Sequence, residues 1–386
     1  MATGAKRALI LSGGGSRAAY QVGALKAVAE LLPTPQCNPF PIICGTSAGA
    51  VNAAVLAAHE GCFQEAVADL ETFWQHLQPA DIYRHGWLEI VRSAGRIGLS
   101  LFNRGVSPGA PLSLLDNTPL RKKIKRHVRF QQIDRNIQRG SLEAVCVTAM
   151  SYDSGESVSF FQAAPGMKSW RRPRRRGRRT LLHADHVVAS SAIPTLFPAT
   201  RLEHEYYGDG ALRQLAPISP ALHLGASRVF TIGVSDNRSR EVSHKKVGTP
   251  RQQSPSMAQI VGHLLNAAFV DNLEEDIQRL ERNNRLLSLV PEEARARGEG
   301  LRIIDHLVVS PSQALDDISA RHICKLPASL RFLLRTTGAT RGGGATSASY
   351  LLFTPSFARE LIELGYRDTL WNADAVRRFL ADDEAT

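Results

Sequence analysis

Two glycine-flanked stretches hold residue types that do chemistry: Gly45-Thr46-Ser47-Ala48-Gly49 and Gly13-Gly14-Gly15-Ser16-Arg17. A serine in a G-x-S-x-G turn between strand and helix sits on strained backbone that lifts its hydroxyl clear of the sheet. Gly45 and Gly49 take away the side chains that would clash there. The helix that follows aims free N–H groups and its positive dipole end at the same spot. Ser47 is therefore the candidate nucleophile. The Gly13–Gly15 loop lies between a strand and a helix, so its N–H groups can cradle an oxyanion or a phosphate. A dinucleotide loop needs G-x-G-x-x-G and a later acidic residue, and a phosphate loop needs Gly-Lys-Ser/Thr; neither is present. An oxyanion hole beside a nucleophile accounts for both stretches together. Arg17 either pins the loop or is an ordinary solvated helix residue.

A serine nucleophile needs a base, and the residues alone leave its identity open. Twelve histidines are present, none with a local signature. Asp209 stands between Gly208 and Gly210 in a predicted turn, where no neighbouring side chain shields its carboxylate. A local backbone hydrogen bond is the commoner role for such an aspartate. The alternative is a Ser-His-Asp hydrolase with His223, His263, His306 or His322 as base. That fold places several strands before its elbow, and here only two precede it.

The elements that must position these residues follow from the pattern. Ala8–Leu11 and Pro41–Cys44 are short apolar runs that predict buried strands. Residues 17–32 and 48–58 have helical character. The alternation of strand, loop and helix predicts a parallel sheet with helices packed on it. Further strands are expected at 142–150, 157–162 and 228–234, with a possible return strand at 303–309. A helix is expected at 184–191. Composition shifts near Ser235: residues 236–256 read as a linker, 336–349 as a flexible loop, and the last forty residues as helical.

The chain has 386 residues, 43% of them apolar, ample for a core. Its net charge of +11 and pI of about 9.7 favour anionic partners. Five scattered cysteines without a C-x-x-C pair argue against zinc and redox motifs and for reduced thiols. Neither a signal peptide nor an apolar run of about 20 residues is seen, so a cytoplasmic protein that meets membranes peripherally is expected. The run Arg171, Arg172, Arg174, Arg175, Arg176, Arg178 and Arg179, beside Trp170, has three readings: a disordered solvated loop, an anionic-membrane contact, or a nucleic-acid contact. Of these the membrane contact is favoured, and no specific nucleic acid is expected.

The chain resembles the bacterial patatin-like phospholipases. The resemblance rests on four motifs in the family's order: the Gly13–Arg17 loop, Gly45–Gly49, the block Ala189-Ser190-Ser191-Ala192-Ile193-Pro194-Thr195-Leu196-Phe197-Pro198, and Asp209-Gly210-Ala211. It covers about residues 6–235. It implies an α/β fold, a three-layer core with a mostly parallel central sheet; residues 236–386 lie outside the shared pattern and are expected from their composition to form a linker and a mainly helical extension packing on that core. It implies a dyad of Ser47 and Asp209 without a catalytic histidine, an oxyanion hole at Gly13, Gly14 and Gly15, and no metal or other cofactor. Arg17, Gly45, Gly49 and Gly210 would support the site. The implied substrates are phospholipids or other acyl-ester lipids. A non-catalytic anion- or nucleic-acid-binding protein is the rival from another class.

Overall fold

The structure, a computed structural model, describes residues 6–32, 38–102, 113–235, 272–297, 302–336 and 348–381, with residues 260, 263 and 267. Its strands are β1 (Arg7–Leu11), β2 (Ile42–Thr46), β3 (Ala144–Ser151), β4 (Ser157–Ala163), β5 (Trp170–Arg172), β6 (Arg175–Arg179), β7 (Thr200–Leu202), β8 (Glu205–Asp209), β9 (Arg228–Ile232) and β10 (Asp305–Val309). They form one sheet in the order β10-β9-β1-β2-β3-β4-β6-β5, with the β7–β8 hairpin paired to the far end of β3 through β8. The five strands from β10 to β3 run parallel. Strands β3 and β4 are antiparallel, and the remaining pairs are mixed.

Alternation along each strand sends side chains to two separate cores. Leu9, Leu11, Ile43, Val145, Val147 and Phe230 join the larger one. Ala8, Ile10, Ile42, Cys44, Cys146 and Val229 join the smaller. The helices up to β9 are α1 (Ala19–Leu31), α2 (Ala48–Ala57), α3 (Phe63–Gln75), α4 (Pro79–Ile82), α5 (Trp87–Phe102), α6 (Thr118–His127), α7 (Phe130–Gln138), α8 (Ala184–Ser190) and α9 (Ser219–His223). Residues of α1, α2, α3 and α8 fill the larger core, and Ala221 of α9 and Leu280 of helix Asn272–Ser288 the smaller. Helices therefore cover both faces, as a largely parallel sheet requires. This is the expected three-layer α/β architecture.

Residues beyond 235 do more than drape over this core. β10 extends the sheet beside β9, where a return strand was expected. Helix Pro355–Trp371 packs along α1, with Leu361 and Ile362 in the larger core and Tyr20 donating its hydroxyl to Asp368 at 3.1 Å. The predicted linker at 236–256 and most of the predicted loop at 336–349 lie outside the described residues. Ser349, at the end of that loop, is buried and bonded.

The arginine run is not a loose loop. β5 and β6 form an antiparallel hairpin that continues the sheet beyond β4. Arg171 pairs with Glu156, Arg176 with Glu156 and Glu205, and Arg178 with Glu203. Arg179 donates to the carbonyls of Met167 and Ala163. Trp170, expected at an interface, is instead partly buried, its ring stacked between Phe161 and His223, each centroid 4.9 Å away. Arg172 and Arg174 remain exposed.

Candidate active site

The site lies where adjacent strands β1, β2 and β3 reach their carboxyl ends, the usual location of a crevice in a parallel sheet. The glycine loop leaves β1, and Ser47 follows β2 directly. Ser47 has φ 55° and ψ −127°, a left-handed geometry that a β-carbon disfavours. It stands at the N-cap of α2. A β-carbon on Gly49 would lie 2.2 Å from the Leu11 carbonyl oxygen, so only glycine lets α2 start this close to β1. Gly45 forms part of β2 and Gly210 opens the short 3-10 turn after β8.

Asp209 reaches the same place from the other side. β8 pairs with β3 so that Asp209 opposes Ala149, while Thr46, the neighbour of Ser47, opposes Thr148 one residue earlier. The Ser47 hydroxyl donates to Asp209 Oδ2 at 2.6 Å. The other carboxylate oxygen accepts the Ala211 N–H at 3.0 Å, so the local backbone bond and the long-range contact coexist. Asp209 is 0% exposed and Ser47 2%. Burial pushes the Asp209 carboxyl up from 3.8 to about 7, against the opposing pull of the Ser47 hydroxyl and the Ala211 N–H.

The backbone of Ser47 is held by two hydroxyls for which the sequence had suggested no role. Ser190 Oγ accepts the Ser47 N–H at 2.8 Å and donates to the Thr148 carbonyl. Ser191 Oγ is 3.0 Å from the Ser47 carbonyl. Both lie at the end of α8, in the small-residue block quoted above. Their signal was two hydroxyls set in an otherwise apolar run.

The glycine loop is clamped from the other end of the chain. Ser16 N–H donates to the Tyr350 carbonyl at 3.1 Å, and Ser16 Oγ to the Ser349 carbonyl. Arg17 is buried; it donates to Ser349 Oγ and Asp316 and lies 4.3 Å over the Tyr350 ring. It therefore pins the loop rather than facing solvent. The N–H groups of Gly13, Gly14 and Gly15 donate to nothing among the described residues. A buried amide chain reinforces the loop: Trp74 Nε1 donates to Asn52, Asn52 to Gln21, and Gln21 to the Ser12 carbonyl.

An apolar pocket opens over Ser47. Gly15, Ala48 and Val51 form its floor; Phe73, Trp74, Ile82, Leu120 and Phe197 its walls; Tyr350 and Phe353 close it. Its free volume is about 30 Å³, too little for an acyl chain without side-chain movement. The candidate histidines lie elsewhere. His223 stacks on Trp170, His306 faces Glu281 and His322 bonds Glu360. His263 is exposed. Among the described residues no group of three His, Cys, Asp or Glu side chains is placed to hold a metal ion.

The family model for patatin-like phospholipases matches residues 9–222. The chain belongs to that family. The matched span runs from β1 to α9 and contains Ser47, Asp209 and the glycine loop. No curated protein matches the sequence. Among solved structures, human GIVD cytosolic phospholipase A2 in complex with methyl gamma-linolenyl fluorophosphonate is similar at 12% identity and a TM-score of 0.42. The match covers 97% of this chain and 58% of that one, so the chain spans little more than half its length. The type III effector protein ExoU is similar at 14% identity and a TM-score of 0.29, over 89% of this chain and 77% of that one.

Proposed function

We propose that this patatin-like protein is a serine lipid acyl hydrolase, of phospholipase A or lysophospholipase type, working through a Ser47–Asp209 dyad. The observation that carries this reading is the 2.6 Å hydrogen bond from a strained, helix-capping serine to a fully buried aspartate. An ordinary carboxylate is a weak base at neutral pH. Burial moves Asp209 to about 7, where it can accept the hydroxyl proton and return it efficiently.

In the first step the Ser47 hydroxyl oxygen attacks the ester carbonyl as Asp209 Oδ2 takes its proton. The N–H groups of Gly13, Gly14 and Gly15, without an acceptor among the described residues, receive the developing oxyanion. Losing one such donor in other enzymes costs about 10²–10³ in rate. Collapse expels the alcohol, which leaves with the proton from Asp209. A water then gives a proton to Asp209 and attacks the acyl-Ser47 ester; collapse releases the fatty acid, and the Ser47 oxygen takes the proton back from Asp209. The apolar pocket accommodates the acyl chain once its walls part, and Tyr83 and the Trp74–Asn52 bond hold those walls in register.

The test is labelling by an alkyl fluorophosphonate, followed by mass spectrometry of the modified peptide. Adduct on Ser47 in the wild type, none in Ser47→Ala, and loss of short-chain ester turnover in that folded variant are expected. Turnover by a folded Ser47→Ala protein would falsify the reading.

A further inference from the structure

Helix α5 begins with an apolar stripe turned to solvent. Trp87 is 50% exposed and Val91, one turn on, 65%. Phe332 on helix Ala328–Thr336 is 55% exposed and meets the Trp87 ring edge-on at 5.2 Å. On helix Ala328–Thr336 the side opposite Phe332 is packed, with Leu330 and Leu334 buried, and α5 is anchored by Ile90, buried one turn from Trp87. The helices are therefore seated in the fold, and the outward stripe is a separate feature that folding leaves uncovered. Arg92 and Arg96, one turn apart on α5 and on its next face round from Val91, and Arg335, three residues after Phe332, are exposed. At about 100° per residue, Arg92 follows Trp87 and Val91 round the helix and flanks their stripe. Exposed aromatic residues edged with arginines match the two layers of an anionic bilayer surface: acyl boundary and headgroups.

This face adjoins the acyl pocket. Ile82, the last residue of α4, lines the pocket, and Tyr83 stacks on Phe197 of its wall. Tyr83 also donates its hydroxyl to the Leu351 carbonyl, two residues from Phe353. His85 then accepts Ser329 Oγ at 2.6 Å, which ties helix Ala328–Thr336 to the start of α5.

We infer that α5 and helix Ala328–Thr336 form the face that docks on an anionic lipid bilayer, beside the pocket wall at Ile82. The inference rests on the lipid acyl-hydrolase reading. It moves the membrane contact away from the arginine hairpin, where Trp170 is stacked inside and Arg176, Arg178 and Arg179 are already bonded.

The experiment is sedimentation with vesicles of phosphatidylcholine alone and of phosphatidylcholine mixed with phosphatidylglycerol. Using Ser47→Ala protein throughout keeps binding separate from turnover; wild-type hydrolysis of a soluble ester tests the hydrolase reading on its own. Partition onto the mixed vesicles should exceed that onto phosphatidylcholine alone. Adding Trp87→Ser and Phe332→Ser should lower it about tenfold at low and high salt alike. Adding Arg92→Ser and Arg96→Ser instead should lower it about tenfold at low salt and little at high salt, because the charge contribution is screened. Arg172→Ser with Arg174→Ser on the hairpin should leave it unchanged. Thermal melts verify folding, and the arginine pair, fully on the surface, covers the case in which the aromatic pair unfolds. A parent protein that binds neither vesicle, or a loss confined to the hairpin variant, overturns the assignment.

Discussion

Among the described residues no cation lies beside Asp209; its carboxylate meets a hydroxyl and a backbone N–H. Activity and stability therefore pull on it in opposite directions. If its carboxylate form is the base, kcat/KM should rise with a single ionisation through about pH 7, with no separate imidazole step. Asp209→Asn should lower turnover by about 10²–10⁴. The amide can still accept the Ala211 N–H with its oxygen, but it then turns an N–H₂ toward Ser47 and offers no lone pair for the proton. Stability follows the other sign. The folded pKa lies above the unfolded value of 3.8, so this group's contribution is fully present below about pH 4 and lost as pH rises through about 7. The asparagine variant should accordingly melt higher than the wild type at pH 8 and no higher at pH 4. Equal melts at both pH values would show that the buried charge is compensated by something other than the two bonds described.

At the scale of elements, the glycine loop owes its form to a segment far along the chain. Gly15 has φ 56°, and a β-carbon there would lie 2.3 Å from the Tyr350 carbonyl oxygen. Gly15→Ala should therefore destabilise the fold by upwards of about 1 kcal/mol, read as a lower melting temperature, and lower turnover with it. It cannot separate catalysis from packing, which Ser47→Ala can. This contact also marks how far the sequence could be read. The strand–loop–helix units around Gly13–Arg17 and Gly45–Gly49 were legible because local patterns set them: a short apolar strand, small turn residues, an Ala-rich helix. The pairing of Ser47 with Asp209 was legible only through the order of family motifs, since the β3–β8 register that creates it is a long-range property. The clamp at Ser349 and Tyr350 had no local signature, and the hydroxyls of Ser190 and Ser191 had only their place in a small-residue block. The loop reading of the arginine run failed because its strand pairing and its Glu156, Glu203 and Glu205 partners lie elsewhere in the sequence.

For the molecule as a whole, the matched family region ends at residue 222, before β9, yet the sheet and the larger core continue through residues after 300. A protein ended after Ser235 should lose β10, leave β9 as an open edge, and strip Phe357, Leu361 and Ile362 from the core. It should aggregate or show no cooperative melt, and should resist fluorophosphonate labelling; a soluble fragment labelled at the wild-type rate would show the later residues to be dispensable. The clamp also has a consequence for biosynthesis. Ser16 and Ser349, joined by a hydrogen bond, are 333 positions apart in the chain. A ribosome delivers the nucleophile and its aspartate long before that bond can form. On the proposed reading, the nascent chain carries a disarmed hydrolase, and lipid cleavage switches on only when synthesis has passed Tyr350 and that segment has folded back onto the glycine loop.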